Sequence, residues 1–410
     1  MKTIRIGVMG VGRGRSMIHY TQTTPKARLV AICDFWPQGL HQAQRDINDA
    51  SIRFYSDFDA FIQHDMDAVV LANYATQHAP FAIKALKAGK HVYSEVLPVQ
   101  TLAEAVELIE TIEASGLTYV YGENYCFMPA VMEMRRRYRQ GELGNFEYGE
   151  GEYIHNCAPI WAHLTAGNPD HWRNRMYATF YATHSIGPLI HITGLRPTKV
   201  TGYEIPYNKR SRSMGKLGAT AGIEMITLEN GAMMKSIHGD LDQNSIWFSV
   251  YGSKGRMESA REATQLGDVE RLYVHLEGQE EKTYRPELED HHLAKDFGHG
   301  GSDYYAMDHF IRHLQGESVD VIDIYEALDM FLPGLFAYRS ILAGNIPIDI
   351  PDFRDPQVRD RYRNDTACTD PLVAGDQLIP AQANGNPQID PAIYANLKAQ
   401  WLADQQENDD

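Results

Sequence analysis

Along the first ~125 residues, apolar positions fall in short unbroken runs separated by amphipathic stretches. Ile4-Arg5-Ile6-Gly7-Val8-Met9, Leu29-Val30-Ala31-Ile32-Cys33 and Ala68-Val69-Val70-Leu71-Ala72 have the continuous character of strands covered on both faces. Strands are predicted at 3–9, 28–33, 67–72, 91–93 and 118–122. Between them, 76–87 reads as a helix closed by Gly89 at a C-terminal cap. Thr101 and Glu104 form a capping-box pattern ahead of the stripe Val106, Ile109, Ile112. Such alternation predicts a parallel sheet with crossover helices.

After Tyr125 the pattern changes. Segments at 145–155, 198–206, 221–228, 231–238, 245–252 and 271–276 read as strands of a mainly antiparallel sheet, with Glu229-Asn230-Gly231 as a hairpin turn and Gly252-Ser253-Lys254-Gly255 as another. Helices follow at 302–315 and 323–343, and the last ~60 residues are rich in Pro, Asp, Asn and Gln. The expected class is α/β: an N-terminal doubly wound parallel sheet over 1–125, an α+β domain with an open, mainly antiparallel sheet over 126–345, and an extended tail over 346–410.

The 410 residues suit two domains with a sizeable core. A formal net charge of -16 argues against nucleic acid and anionic membrane as partners, while leaving room for a local basic pocket. Cys33, Cys126, Cys157 and Cys368 are scattered with no CxxC pair, which fits a reducing compartment or buried thiols. No apolar run reaches transmembrane length, and the chain enters a strand by about residue 4 without a visible signal peptide. A cytoplasmic location is the expectation.

The first strand runs into Gly10-Val11-Gly12-Arg13-Gly14. Glycines let a backbone approach a pyrophosphate, and the following helix offers unpaired N–H groups. Gly10 and Gly12 are spaced for this, but Arg15 stands at the third glycine position, with Gly14 one place early. An ordinary tight βα turn has the same composition. Asp34, at the end of the second apolar run, sharpens the reading: a carboxylate there accepts both ribose hydroxyls and repels a 2′-phosphate. A strand-end Asp also caps the next turn. Together these features predict NAD rather than NADP, with Arg13 able to neutralise a phosphate.

After His91-Val92-Tyr93 the chain reads Glu95-Val96-Leu97-Pro98. In this order of elements it resembles the Gfo/Idh/MocA family of oxidoreductases over roughly residues 1–345. The resemblance implies an N-terminal Rossmann domain and a C-terminal α/β domain whose open sheet faces the nicotinamide. Most members handle the substrate hydroxyl with a Lys from Glu-Lys-Pro, then an Asp and a His four residues apart. Here Val96 replaces the Lys, Leu97 is inserted before Pro98, and His184 and Pro188 replace the Asp and the His. The segment Tyr181-Ala182-Thr183-His184-Ser185-Ile186-Gly187-Pro188 is similar to the NAD-dependent glycosidase branch, glycoside hydrolase family 109, which includes α-N-acetylgalactosaminidases. Its members read Tyr-x-Thr-His-x-x-Gly-Pro here and His-Gly-Gly-x-Asp further on, matched by His299-Gly300-Gly301-Ser302-Asp303.

That branch implies a redox-neutral hydrolysis. NAD+ takes a hydride from sugar C3, the ketone acidifies the C2 proton, the aglycone leaves by elimination, water adds back and the hydride returns. No paired-carboxylate site is then needed. His184 is the expected catalytic acid–base, since an imidazole titrates near neutrality; a helix-capping or core histidine is the plain alternative. Tyr181 shares a face with it if the stretch is helical, and a nearby cation would favour its phenolate. His299, in a glycine-flanked loop, is the third catalytic candidate.

Cofactor contacts are expected from Gly10, Gly12, Arg13 and Asp34, from Asn73, Thr76 and His78 after the third strand, and from the strand-end residues Glu95 and Asn124. Tyr153, Trp161 and Trp172 are candidates for stacking on a sugar, with core packing the competing role. The histidines at 155, 163, 171, 184 and 191 lack a ligand signature, so no metal is expected. Arg135-Arg136-Arg137 reads as a solvated helix face. Competing functions are a net sugar dehydrogenase or keto-sugar reductase, and a sensor that kept the fold without the chemistry. The expected partners are a carbohydrate and, from the resemblance, a second copy in a homodimer or homotetramer.

Overall fold

The computed structural model describes residues 2–262 and 270–409. The chain gathers into two compact units: Met1–Met132, Arg285–Leu328 and Phe353–Asp365 make the first, and Glu133–Tyr284, Asp329–Asp352 and Thr366–Asp410 the second. Among the described residues no helix is long and apolar enough to cross a membrane.

In the first unit the apolar runs become β1 (Ile4–Met9), β2 (Ala27–Cys33), β4 (Ala68–Leu71), β5 (His91–Glu95) and β6 (Tyr119–Gly122), joined by an edge strand β3 (Arg53–Tyr55). All pair in parallel, in the order β3-β2-β1-β4-β5-β6. Ile6, Val8, Val69, Val70 and Leu71 are fully buried, as a sheet covered on both faces requires. β3 escaped prediction because Arg53-Phe54-Tyr55 is a short, half-exposed edge with no apolar run. Helix α1 (Arg15–Thr23) follows the glycine-rich turn. The helix predicted over 76–87 is divided into a 3-10 turn, Ala75–Gln77, and α2 (His78–Lys87). The capping box forms as expected on α3 (Leu102–Ser115): Thr101 Oγ1 accepts from the Glu104 N–H, and Glu104 Oε2 accepts from the Thr101 N–H.

The second unit is built on nine strands: β7 (Phe146–Ile154), β8 (Pro197–Ile205), β9 (Ala221–Leu228), β10 (Met233–Gly239), β11 (Ser245–Gly252), β12 (Gly255–Ser259), β13 (Leu272–Leu276), β14 (Lys282–Tyr284) and β15 (Ile348–Asp349). Their order is β14-β13-β12-β11-β7-β10-β9-β8-β15. Every described pair is antiparallel except β10 with β7. The sheet is therefore mixed but mostly antiparallel. Burial alternates along β9 and β10, so one face is covered and the other half-exposed.

Helix α4 (Thr183–Thr193) lies on the covered face. A β-carbon at Gly151 of β7 would sit 1.8 Å from the Ser185 carbonyl oxygen, so only glycine admits the helix at this depth. The Ser185 and Ser236 hydroxyls meet at 2.8 Å beneath it. The tail is not merely extended: Pro391–Asp409 is helical, and Leu397 packs with Cys157, Trp161, Ala162 and Met214 in a buried cluster. The arginine run matches the solvated-face reading only in part, since Arg136 is exposed on the helix Pro129–Arg139. Arg135 is buried, Arg136 and Arg137 pair with Glu133, and Arg137 also reaches Glu142 at 2.5 Å. Glu133 thus pairs with one exposed and one half-buried arginine of the run.

Glu224 of β9 is fully buried opposite Ser236, and neither carboxylate oxygen has a hydrogen-bond partner among the described residues. Burial pushes its carboxyl up to about 8. The folded state then holds a proton that the unfolded chain releases near pH 4.5, so this group's stability contribution is full below that pH and is lost as pH rises towards 8. Glu224→Gln is expected to flatten that decline by up to about 1.4 kcal/mol per pH unit, read as urea midpoints at pH 5, 7 and 9.

Candidate active site

In the first unit, β1 enters the glycine turn at Gly10, whose φ of +101° and a 2.5 Å approach of its would-be β-carbon to the Ala72 carbonyl exclude a side chain. Gly14 packs against the Gly10 carbonyl, 2.1 Å from the position of its own would-be β-carbon. It thus takes the close-packing role usually given to the third glycine, one place early. A β-carbon at Gly12 would meet nothing within 4 Å, and no side chain caps the start of α1. The buried Oδ1 of Asn73 has no partner among the described residues. These features fit a dinucleotide: open backbone N–H groups for a pyrophosphate, and an acceptor at the end of β4.

Asp34 caps its own turn and supports the glycine loop, its Oδ1 accepting from the Trp36 N–H (2.8 Å) and its Oδ2 from the Val11 N–H (2.7 Å). Each oxygen keeps a lone pair for a ribose hydroxyl. Thr76 sits in the 3-10 turn after β4. His78 is buried between the carbonyls of Leu97 (2.9 Å) and Asn73 (3.2 Å), and burial pushes it down to about 4. The neutral ring has one N–H to donate, so it bonds one of these two carbonyls at a time.

Three residues singled out separately from the sequence, Arg13, Asn124 and His299, and a fourth that was not, Ser16, meet on one carboxylate, Asp303, in the first turn of α5 (Ser302–Leu314). Arg13 donates twice, at 2.6 and 2.7 Å, and reaches Glu95 at 3.0 Å. Ser16 Oγ and Asn124 Nδ2 each donate at 3.0 Å, and His299 Nδ1 lies 3.1 Å away. The Asp303 side chain is 0% exposed. Burial alone would push it up; the Arg13 guanidinium and His299 hold it well below the usual carboxylate range. Glu95, pushed up by its own burial, is restrained by the same guanidinium. His299 (φ +56°), Gly300 (+66°) and Gly301 (+89°) form a left-handed run, and His299 carries the strain of a non-glycine residue there. Asp303 was legible in the His-Gly-Gly-x-Asp motif but drew no role, because its partners are ~180 and ~290 residues away in sequence.

In the second unit, rings converge on a cleft. His184, one residue into α4, lies 4.7 Å from the Tyr153 ring and 5.0 Å, edge-on, from Tyr181. Tyr181 precedes the helix, which begins only at Thr183; a turn, with Ala182 N–H bonded to Thr179 O, delivers it instead. His238, unremarked in the sequence, pairs with Tyr153 across β10 and β7 and lies nearly parallel to it, 5.8 Å away. Burial pushes His238 down to about 4, with His184 and Lys216 acting in the same direction. Tyr153, His155, Arg173, Tyr181, Lys216, His238 and Asp240 line the cleft. Lys216 and Asp240 form a buried ion pair. Trp172 stacks 6.3 Å from Tyr181, at the cleft. Trp161 instead packs in the buried cluster with Leu397, with the Lys216 ammonium 5.5 Å above its ring. Among the described residues no three His, Cys, Asp or Glu side chains are grouped to hold a metal.

Residues 4–123 match the model of an oxidoreductase family with an NAD-binding Rossmann fold, and 226–359 match the C-terminal domain of glycosyl hydrolase 109. A glycosyl hydrolase family 109 protein of Saccharopolyspora erythraea is 24% identical over 397 residues, spanning 86% of this chain and 83% of that protein. One from Solibacter usitatus is 26% identical over 391 residues, spanning 86% and 88%. An oxidoreductase from Agrobacterium radiobacter, solved with NAD+, L-tartaric acid and magnesium, shares the fold with a TM-score of 0.71 at 15% identity, over 85% of this chain and 98% of that one.

Asp303→Asn removes a buried charge while keeping its shape, and leaves Arg13 without its principal anion. A loss of about 3 kcal/mol in unfolding free energy is expected. Because Asp303 is depressed, its contribution is complete above the ordinary carboxylate range and lost only in stronger acid. The difference from the parent should therefore be equal in urea titrations at pH 5 and pH 8.

Proposed function

We propose that this chain, an NAD-dependent, glycosidase-like member of the Gfo/Idh/MocA oxidoreductase family, is a redox-neutral glycoside hydrolase acting on a glycoside or amino-sugar glycoside. The C3 hydroxyl is oxidised, the aglycone leaves by elimination across C1 and C2, water adds, and the ketone is reduced again. The net change is glycoside plus water to sugar plus alcohol. The observation that carries this reading is the imidazole of His184 set between two phenols, Tyr153 and Tyr181, in a chain whose Val96, 6% exposed, offers no amine where most family members have lysine.

Bound NAD supplies reversible hydride acceptance, with Gly10, Gly12, Asp34, Asn73, Thr76, Glu95 and Asn124 as its proposed contacts. His184 takes the proton of the sugar hydroxyl and gives it back. Tyr181 is the proposed base for the C2 proton, its ring lying 5.0 Å from that of His184. Tyr153 and Trp172 offer ring faces to the sugar C–H bonds. Asp303 accepts a hydrogen bond from the Nδ1–H of His299, and Nε2 is the nitrogen proposed to exchange a proton with the substrate. A second copy of the chain is the proposed partner, against the half-exposed sheet face carrying Ile223, Met225 and Ile237.

A panel of aryl α- and β-glycosides, followed for phenol release and NADH absorbance together, tests the reading. Phenol release without net NADH is expected. Stoichiometric NADH from free sugars with no bond cleavage would make the enzyme a sugar dehydrogenase or keto-sugar reductase. His184→Ala is expected to lower turnover about 10²- to 10⁴-fold while NAD content after purification is unchanged. Parental turnover in that variant would remove His184 from the mechanism.

A further inference from the structure

The far end of the chain brackets one residue of the cleft wall. Lys216 lines the cleft and pairs with the buried Asp240. Both residues that flank it in the chain are held by the C-terminal segment. The Tyr394 hydroxyl donates to the Gly215 carbonyl at 2.7 Å, and Gln382 Nε2 donates to the Leu217 carbonyl at 3.1 Å. Met214, one residue earlier, packs in the cluster that Leu397 shares with Cys157, Trp161 and Ala162. The Lys216 ammonium lies 5.5 Å above the Trp161 ring, so the same cluster is the floor beneath it. Two glycines admit the C-terminal helix to this depth. A β-carbon at Gly215 would sit 2.5 Å from the Tyr394 ring, and one at Gly167 would sit 2.4 Å from the Lys398 backbone nitrogen. The Leu217 N–H donates in turn to the Asn174 carbonyl at 2.7 Å, which ties the loop to the turn carrying Trp172.

The helix Pro391–Asp409 is attached along a narrow seam. Of residues 391–405 only Leu397 is buried, with Ile393 and Tyr394 half-buried beside it. So little apolar area lets the seam part while the nine-stranded sheet stays closed. Once it parts, Trp161 and Met214, now 1% and 2% exposed, meet water. Lys216 then loses its floor and the anchors on either side of it. His184 stands on α4 and Tyr181 in the turn before it, both outside this loop.

We propose that residues 382–397 form a strap that positions Lys216, and that its docking sets how tightly the cleft holds its ligand. Gln382, Tyr394 and Leu397 act through the loop 214–217 and are positioning residues. The strap lies beyond residue 359, where the match to the glycosyl hydrolase 109 domain ends. That the ligand is a glycoside rests on the proposed hydrolase; that the strap orders the loop does not.

Tyr394→Phe removes one hydroxyl and keeps the ring, and a chain ended at Asp390 removes the helix. Hydrogen–deuterium exchange should be followed along the NAD-loaded parent and both variants, with KM and kcat on the aryl glycosides that the parent cleaves. Amides of 211–218 are expected to exchange about tenfold faster or more in the shortened chain, and about threefold faster in Tyr394→Phe, with the sheet strands at parental rates. On shortening, KM should rise about tenfold or more while kcat stays within about threefold. A synthetic peptide of residues 378–405, added to the shortened chain, should restore both the protection and KM. Parental exchange over 211–218 in the shortened chain overturns the inference, and so does an unmoved KM or a loss confined to kcat. If shortening strips protection from the whole sheet, Tyr394→Phe decides in its place by the same local readout. If the parent cleaves no glycoside, the hydrolase reading fails, and exchange with peptide rescue still decides the strap.

Discussion

The second unit depends on a contact with no side chain in it. The Ser185 carbonyl of α4 occupies the space above Gly151 where any other residue would place a β-carbon. Two residues along β7 is Tyr153, and one residue back along α4 is His184. The depth of that contact therefore sets the 4.7 Å between their rings. The parallel register of β7 with β10 then brings His238 alongside. A larger residue at 151 would lift the helix from the sheet and part these rings together, since packed interiors do not deform by small degrees.

Charge is buried in both units, for different ends. Around Asp303 one carboxylate receives donors from Arg13, Ser16, Asn124 and His299, so the glycine turn, the segment after β6 and the left-handed His299 loop are tied at a single point. In the cleft the Lys216–Asp240 pair is closed on itself. Buried pairs of this kind contribute little net stability, because desolvation offsets much of their attraction; they fix geometry.

Much of the fold was legible in the sequence, because strands covered on both faces announce themselves as apolar runs and the capping box is written in four residues. The short edges β3, β14 and β15 were not, since three or fewer residues carry no period. The parallel pairing of β10 with β7 was invisible as well: register between distant strands leaves no local mark. The site divides the same way. Gly12 and Asp34 were named from their spacing, and His184 and His299 from segments that resemble a known family. Lys216, His238 and Asp240 stand in no motif, and only the sheet brings them together. Trp161 and Trp172 look alike in sequence, yet one lies in a buried cluster and the other at the cleft. His78 follows the end of β4, where a cofactor contact was expected of it, and has both ring nitrogens turned to backbone carbonyls.

The position of β7 in its sheet has a consequence for how the chain reaches this state. β7 is the first strand of the second unit in sequence, yet its neighbours are β10 and β11, which begin at Met233 and Ser245. On the ribosome it has no partner until some eighty further residues have emerged. Its closure is a non-local step, costly in loop entropy and slow beside the local hairpins β9–β10 and β11–β12. The hairpins can stand before the strand that joins them, and Tyr153, His184 and His238 become neighbours only when it docks. The grouping of these rings is therefore among the last things the folding chain acquires, and a nascent chain halted before residue 239 holds the imidazole of His184 without the strands that set it beside Tyr153 and His238.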